Sequence, residues 1–335
     1  MKALVYHGPG RLCVEQAPRP SPAPDEVLVR TRAVGICGSD LHAFRHGSAR
    51  RAPPLIMGHE AAGVVEQVGA RVADVQPGDR VVPHSVLACG ACRWCELGET
   101  NRCPRARVLG VNTPGCYAEY FVAPATSLYR MPEEMPFARA ALAEPLSVGL
   151  HAVHLALVRG PRSLLVLGAG VIGLAAVDAA RRAGLKRVAV ADPDERRVDV
   201  ALGFGAERAG ENEAARYDAV VDAVGLEATF SRAVRQVESG GILVLVGMST
   251  PAVRLDLLDT VARELAITGS YVSTAREFAE ALLHLGPRED RLIELTRPLD
   301  QGPEAFAALD QSQGGVLKAM LIVDSGTDEP MPGRR

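Results

Sequence analysis

Two kinds of hydrophobic spacing divide this chain. Over roughly the first 150 positions the apolar residues fall in short runs, EVLVRTRAVG at 26–35, GVVEQVG at 63–69 and DRVVPHSVL at 79–87, parted by turn signals such as PGD at 77–79. Short Val-rich runs bounded by Gly, Pro and Asp predict a small, mostly β domain. Around 151–162 the spacing changes. SLLVLG (163–168) reads as a strand, about 171–183 as a helix, RVAVAD (187–192) as a strand and about 194–202 as a helix. DAVVDAVG (218–225), a helix over 227–238, GILVLVG (241–247) and LAITGS (265–270) continue the series. Strands alternating with helices predict a mostly parallel sheet covered by helices. Between Gly205 and Tyr217 there is little room for a full crossover helix, so that part of the sheet is expected to be trimmed. After about 274 come a helix, TAREFAEALLHL, two strands, RLIELT and VLKAMLIVD, and a tail, GTDEPMPGRR, expected to be loose. The expected division is a domain over 1–150, completed by about 275–335, and a second over 151–274.

Length supports the division, since 335 residues and 35.4 kDa exceed what one core usually organises. A composition 47% hydrophobic and 23% charged is that of a compact protein and excludes a disordered chain. With a formal charge of -3, pI near 6.3 and scattered basic residues, nucleic acid is not an expected partner. The opening MKALVYHGPG is broken too early to be a signal peptide. The apolar stretch SLLVLGAGVIGLAAVDAA (163–180) carries a glycine signature and Asp178, so it reads as a strand feeding a buried helix, with no membrane partner. Seven cysteines, four of them within fifteen positions, suggest metal thiolates in a reducing compartment, and the cytoplasm is the expected location.

GAGVIG at 168–173 closes an apolar strand and opens a helix, the context that gives a GxGxxG pattern its meaning. Gly168 permits the tight turn, Gly170 clears a path for a pyrophosphate, and Gly173 lets helix and strand approach. Val171 and Ile172 complete the turn, whose free amides face the phosphates. Asp192 ends the next strand, placed to accept both ribose hydroxyls and to repel a 2'-phosphate, which favours NAD over NADP. Arg197 is a candidate cover for that ribose or the adenine, whereas Arg196 would weaken the discrimination. A glycine-rich turn followed by a structural acid is the simpler alternative.

CGACRWCELGETNRC supplies Cys89, Cys92, Cys95 and Cys103, a spacing suited to a closed four-thiolate zinc site that stabilises a lobe and leaves no position for a substrate. An iron–sulfur cluster is the competing reading, but only Cys103-Pro104 resembles its usual ending. Cys13 and Cys116 read as buried small side chains. A second set is mixed: Cys37 in GICGSD, His59 and Glu60 in GHE, and Glu144 in AEPLS. One thiolate, one imidazole and carboxylates would leave zinc an open position and so a working Lewis acid, with Glu144 bound directly or through water. Sequence alone does not bring these residues together. His59 and Glu60 as a buried hydrogen-bonded pair, with Cys37 in a core, is the plain alternative.

GICGSDLH (35–42), GHEAAGVVEQVG (58–69), PGDRV (77–81), the four-cysteine stretch, EPLSVGLHA (144–152) and GAGVIG (168–173) occur in an order that resembles the zinc-containing medium-chain dehydrogenase/reductase family, and in particular its polyol (sorbitol) and threonine dehydrogenases. The resemblance covers nearly the whole chain. It implies an α/β protein: a GroES-like, mostly β catalytic domain interrupted by a Rossmann domain with a doubly wound parallel sheet. It implies a catalytic zinc on Cys37, His59 and Glu60. Glu144 stands where the polyol enzymes have a glutamate and the alcohol dehydrogenases a cysteine. Asp40 takes the place of the carboxylate that orients His59, Ser39 that of the hydroxyl contacting the alcohol, and His42 that of the outer member of the proton relay.

The implied activity is reversible hydride transfer from a secondary alcohol or polyol to NAD, giving a ketone and NADH, with one catalytic and one structural zinc per chain. Threonine, an aminocyclitol or a phosphorylated polyol are alternative substrates, and a zinc-stabilised NAD-binding sensor or interaction protein is the non-enzyme reading. His84, Asn112, Tyr117 and Tyr271 are candidates for the substrate cleft. LAITGS matches the sheet edge through which family members pair, so a homodimer or homotetramer is expected.

Overall fold

The computed structural model describes residues 1–210, 215–311 and 315–323, and the expected loose tail lies outside them. The chain divides into two compact units. The first comprises 1–96, 102–144 and 284–335, the second 97–101 and 145–283. The division falls at Glu144, inside the helix Ala143–Leu157, and at His284, the end of the helix Ala275–His284.

Among the described residues the first unit is built on a seven-stranded sheet. Its path runs Leu128–Arg130, Arg80–Pro83, Glu60–Val68, Glu26–Ile36, Lys318–Ile322 and Ile293–Pro298, with Tyr120–Pro124 also on Glu26–Ile36. The central strand Glu26–Ile36 is flanked on one side by Glu60–Val68 and on the other by Tyr120–Pro124 and then Lys318–Ile322, all antiparallel to it. The last described strand thus lies inside a sheet begun far earlier in the chain, one place in from its edge. It is reached through the helix Gly302–Gln311, a crossover that the parallel pairing of Ile293–Pro298 with Lys318–Ile322 requires. That helix buries Ala305, Phe306 and Leu309 on one face, with the Phe306 ring set edge-on to Tyr117 and Phe44. Burying a side chain of this size contributes about 1.5–3 kcal/mol. A smaller sheet of Arg11–Gln16, Lys2–Gly8 and Leu55–Ile56 and the hairpin Val86–Leu87/Arg107–Val108 complete the unit.

The second unit holds a six-stranded sheet, wholly parallel, in the order Glu207–Arg208, Arg187–Ala191, Ser163–Leu167, Tyr217–Asp222, Val237–Leu245, Ala266–Gly269. Numbered by sequence this is 3-2-1-4-5-6, the doubly wound order of a dinucleotide-binding sheet. Leu165, Val220 and Leu243 on neighbouring strands are fully buried, as strands covered on both faces should be. Strand three is only two residues long, and the connection after it, expected to be trimmed, runs through 211–214, outside the described residues; the fifth strand starts at Val237, four residues earlier than its apolar run.

One polar knot ties this unit internally. Glu277 forms a capping box with Thr274, whose amide and hydroxyl both donate to Glu277 Oε2. The same carboxylate receives His151 and His154 from the helix Ala143–Leu157, at 2.9 Å each. Asn101 in turn bonds the far nitrogen of His151. The apolar helical run Phe137–Leu157 is long enough to cross a membrane, but 78% of its most apolar window is buried inside the protein, which is how a core helix behaves.

Candidate metal and nucleotide sites

Three adjacent strands of the first unit bring the mixed donor set together. Cys37 follows directly on Glu26–Ile36 and caps the helix Gly38–His46, its Sγ accepting from the Ser39 amide at 3.4 Å and the Ser39 hydroxyl at 3.2 Å. Glu60 opens its strand opposite Gly35, and Lys318 opens the strand on the other side, where Ala319 pairs with Ile36. Gly35 is needed between them, because a Cβ there would lie 2.1 Å from Glu60 Oε2. Gly58 answers a different demand: its φ is +90°, and a Cβ would strike the Tyr117 ring at 2.6 Å. The two glycines let Glu60 cross the central strand and let the Tyr117 ring pack against the turn at Gly58.

Donor atoms of Cys37, His59 and Glu60 lie within 4.8 Å of one another. Glu144, in the first turn of Ala143–Leu157, stands outside that set, with Oε1 accepting from Ser85 Oγ at 2.9 Å. Burial raises its pKa above the ordinary carboxylate value, and Glu60 adds to that shift. His59 is buried, and its Nδ1 has no hydrogen-bond partner, the nearest acid being Asp40 Oδ2 at 3.7 Å. Burial opposes a charge on this imidazole, but Asp40 and Cys37 outweigh it and raise its pKa well above 6.5. Asp40 is pinned from both sides, by Arg51 Nη2 at 2.8 Å on Oδ1 and by the Tyr117 hydroxyl at 2.8 Å on Oδ2. It therefore sits beside His59 as expected, although it does not bond the ring. His42 is exposed, its ring 5.0 Å from that of His46, while Ser39 Oγ bonds Cys37 and Arg51.

Lys318 was not expected. Its Nζ lies 2.7 Å from both carboxylate oxygens of Glu60, with both residues buried. Burial lowers its pKa, but Glu60 and Cys37 more than offset this, so the lysine is held charged. Glu60 thus reaches the donor set already neutralised. With Cys37 as thiolate and His59 neutral, as ligation would require, four anionic groups (Cys37, Asp40, Glu60, Glu144) meet two buried cations (Arg51, Lys318). Two positive charges are lacking, and a divalent cation supplies them. The orphan imidazole nitrogen, the sulfur, nitrogen and oxygen donors and this charge balance all fit zinc.

The second set differs in kind. Donor atoms of Cys89, Cys92, Cys95 and Cys103 again lie within 4.8 Å, on turns and the short helix Arg93–Glu96. Two sulfur–sulfur distances are 3.5 and 3.9 Å, and no disulfide is formed. The Ala91 amide, assisted by Arg105 Nη2 at 3.2 Å, brings the Cys89 thiol down to about 6. Sulfur alone lines this set, which suits a closed structural zinc.

In the second unit Gly168 has φ +93°, Gly170 caps the helix Val171–Arg182, and a Cβ on Gly173 would lie 1.8 Å from the Gly168 carbonyl oxygen. A Cβ on Gly170 would meet only Arg197 Nη1, at 3.9 Å, so that face of the turn is open. Val171 is buried and Ile172 half-buried. Asp192 accepts from the Ala169 amide at 2.7 Å and the Asp194 amide at 2.9 Å, bracing the glycine turn. Each carboxylate oxygen retains a lone pair for a further donor.

The remaining candidates separate. Tyr117 belongs to the site, through Asp40. Asn112 is spent on a turn, accepting from the Val108 amide at 2.7 Å. His84 is buried, and Tyr271 is partly exposed. Burial pushes the Cys116 thiol up, which suits an inert core cysteine. Cys13 corrects an expectation: it is exposed, because Arg11–Gln16 is an edge strand and turns Leu12 to the core instead.

Residues 23–133 match the model for the alcohol dehydrogenase GroES-like domain and residues 171–286 that for zinc-binding dehydrogenase. The chain is 32% identical to sorbitol dehydrogenase of Bos taurus, covering 98% of each chain. It is 34% identical to L-threonine 3-dehydrogenase of Anaeromyxobacter sp., covering 98% of this chain and all of the other. An alcohol dehydrogenase from Thermus sp. ATN1 superposes with a TM-score of 0.88 at 30% identity, covering 97% and 100% of the two chains. The chain belongs to the zinc-containing medium-chain dehydrogenase/reductase family. It is a zinc-dependent alcohol or polyol oxidoreductase with NAD(H) as its redox cofactor.

Proposed function

We propose that the enzyme oxidises a secondary alcohol of a polyol to a ketone, with catalytic zinc on Cys37, His59 and Glu60, assisted by Glu144. The convergence of the Cys37, His59 and Glu60 donors to within 4.8 Å carries this reading. When bound, zinc polarises the alcohol oxygen and NAD accepts the hydride. The chain's own residues do the rest. Asp40 orients His59, and Lys318 holds Glu60 in place and balances its charge. Ser39 contacts the substrate hydroxyl, accepting its proton as it would pass its own outward, and His42, three residues further along the same helix and exposed, is the outer member that would release a proton to water.

The glycine turn takes the pyrophosphate at Gly168, Gly170, Val171, Ile172 and Gly173, while Asp192 and Arg197 hold the adenosine ribose, so NAD is preferred to NADP. Cys89, Cys92, Cys95 and Cys103 carry the structural zinc. Ala266–Gly269 is the edge strand of its sheet, and Met248, Leu257, Leu258 and Val261 are exposed nearby in sequence. Pairing of two chains along this edge would cover both the strand and these side chains, which supports a homodimer. Seven free cysteines suit a cytoplasmic protein.

A screen of NAD reduction over sorbitol and other polyols, simple secondary alcohols, threonine, aminocyclitols and polyol phosphates, run beside metal analysis, tests the reading. It expects two zinc ions per chain and turnover with a polyol. Turnover confined to threonine would move the substrate to an amino acid, and folded protein with one zinc and no turnover on any alcohol would end the proposal.

A further inference from the structure

We propose that Arg51 is a positioning residue of the alcohol-oxidation site, one guanidinium nitrogen fixing both the Ser39 hydroxyl and the Asp40 carboxylate. The inference rests on the roles assigned above to those two residues. Arg51 Nη2 donates to Ser39 Oγ at 2.9 Å and to Asp40 Oδ1 at 2.8 Å, from a side chain only 8% exposed. Ser39 follows Cys37 by two residues, and Asp40 is the carboxylate nearest to His59. A single buried cation therefore reaches both the arm that handles the proton and the arm that aims a metal ligand.

The consequence for Ser39 is directional. A hydroxyl has one proton to give, and with Arg51 occupying a lone pair, that proton is turned onto Cys37 Sγ, toward the donor set. For Asp40 the consequence is rigidity, since Arg51 and the Tyr117 hydroxyl grip its two oxygens and leave the carboxylate no free rotation.

Local stability does not account for this arrangement. Ser39 and Asp40 lie in the first turn of Gly38–His46, where the helix dipole disfavours a cation. The loop that carries Arg51 has its own turn bonds, from the Arg51 amide to the Ser48 carbonyl and from the Arg50 amide to the Ser48 hydroxyl. Arg51 Nε is buried with no hydrogen-bond partner, a cost that the two Nη2 bonds must outweigh. Nor is it a free subsite for an anionic substrate, because Asp40 already neutralises it.

The test compares Arg51→Met, Arg51→Lys and Ser39→Ala in the full zinc-loaded chain, with NAD and sorbitol as the probe pair, and records kcat, KM, melting temperature and zinc release to EDTA. Loss of an outer partner of a metal ligand typically costs about 10–100-fold in affinity or activity. Arg51→Met is expected to lower kcat by about that factor, with KM for NAD changed by no more than about twofold, and to speed loss of one zinc per chain similarly. Arg51→Lys should recover part of both, because its Nζ can donate to both oxygens. Wild-type kcat and zinc release in Arg51→Met, alongside a slow Ser39→Ala, would overturn the proposal. So would a loss that Arg51→Lys fails to restore and that follows the melting temperature. Unchanged turnover in Ser39→Ala would instead remove the relay on which the proposal rests. Zinc release needs no alcohol, so it decides the Asp40 half even if sorbitol is not turned over.

Discussion

The two donor clusters of this chain are built on opposite principles. Cys89, Cys92, Cys95 and Cys103 come from fifteen consecutive positions, lie on turns and one short helix, and present sulfur only. Cys37, His59, Glu60 and Glu144 span more than a hundred positions, come from the ends of two strands and the first turn of a helix, mix sulfur, nitrogen and oxygen, and are framed by two buried cations. A short loop closed by four equal ligands needs nothing from the rest of the fold. An open, mixed site must have its charge and its aim supplied from outside. On the proposed reading the first arrangement serves stability and the second chemistry.

Replacing one sulfur in each cluster gives the sharpest contrast. Cys37→Ser should cut turnover by about a thousandfold or more, the loss of several kcal/mol of Lewis-acid stabilisation, while nucleotide binding and the melting temperature stay near wild type. Cys95→Ser should remove one zinc per chain, lower the melting temperature and open 89–103 to protease. If Cys37→Ser unfolded the chain and Cys95→Ser only slowed it, the comparison would be reversed.

Next in size is Lys318→Met, which leaves Glu60 buried without its cation and should cost about 3–5 kcal/mol in denaturant unfolding. Adding Glu60→Gln to that variant should restore part of the loss, and no restoration would mean that the pair is not the cause. In the nucleotide unit, Asp192→Ser should raise the preference for NADP relative to NAD by about tenfold or more, as removal of a like charge near a phosphate implies. Steady-state kinetics with the two cofactors reads this, and an unchanged ratio would leave Asp192 as a brace for Ala169 and Asp194 alone.

The smallest effect belongs to the knot around Glu277. Its two histidines and Thr274 hold the Glu277 pKa below the ordinary 4.5 against the opposing effect of burial, while Glu277 raises the pKa of His154 above 6.5. The carboxylate contributes fully above 4.5 and loses its contribution as pH falls through its depressed value. His154 contributes fully below 6.5 and loses its contribution as pH rises through its raised value. Glu280 adds to the charge on His154 and Arg276 opposes it. Glu277→Gln should therefore lower the melting temperature more at pH 6 than at pH 9. An equal drop at both would show that only the Thr274 cap matters.

Much of this was legible along the chain, and the reason is locality. The glycine turn between strand and helix, the spacing of the four cysteines and the alternation of the second unit are each confined to a few dozen neighbouring residues. What escaped was mostly long-range. The helix Gly302–Gln311 has the spacing of an amphipathic segment, with Ala305, Phe306 and Leu309 buried, but it is short and set between two apolar strands whose signal is stronger. The exposure of Cys13 follows from its strand being an edge, which only the sheet shows. A lone lysine opening the apolar strand KAMLI is the one signal that pointed toward Lys318.

The order and spacing of motifs in this sequence were enough to determine the family and to single out two candidate sets of metal donors and a candidate nucleotide turn, because the residue types and short intervals in each already restrict the chemistry. Which carboxylate is neutralised, how Asp40 is gripped and where the Ser39 proton points were decided only in the folded chain. Those answers depend on partners such as Lys318, 258 positions from Glu60, and Tyr117, 77 from Asp40. Electrostatic balance in a buried site is set by distance in space, and sequence separation carries almost no information about it.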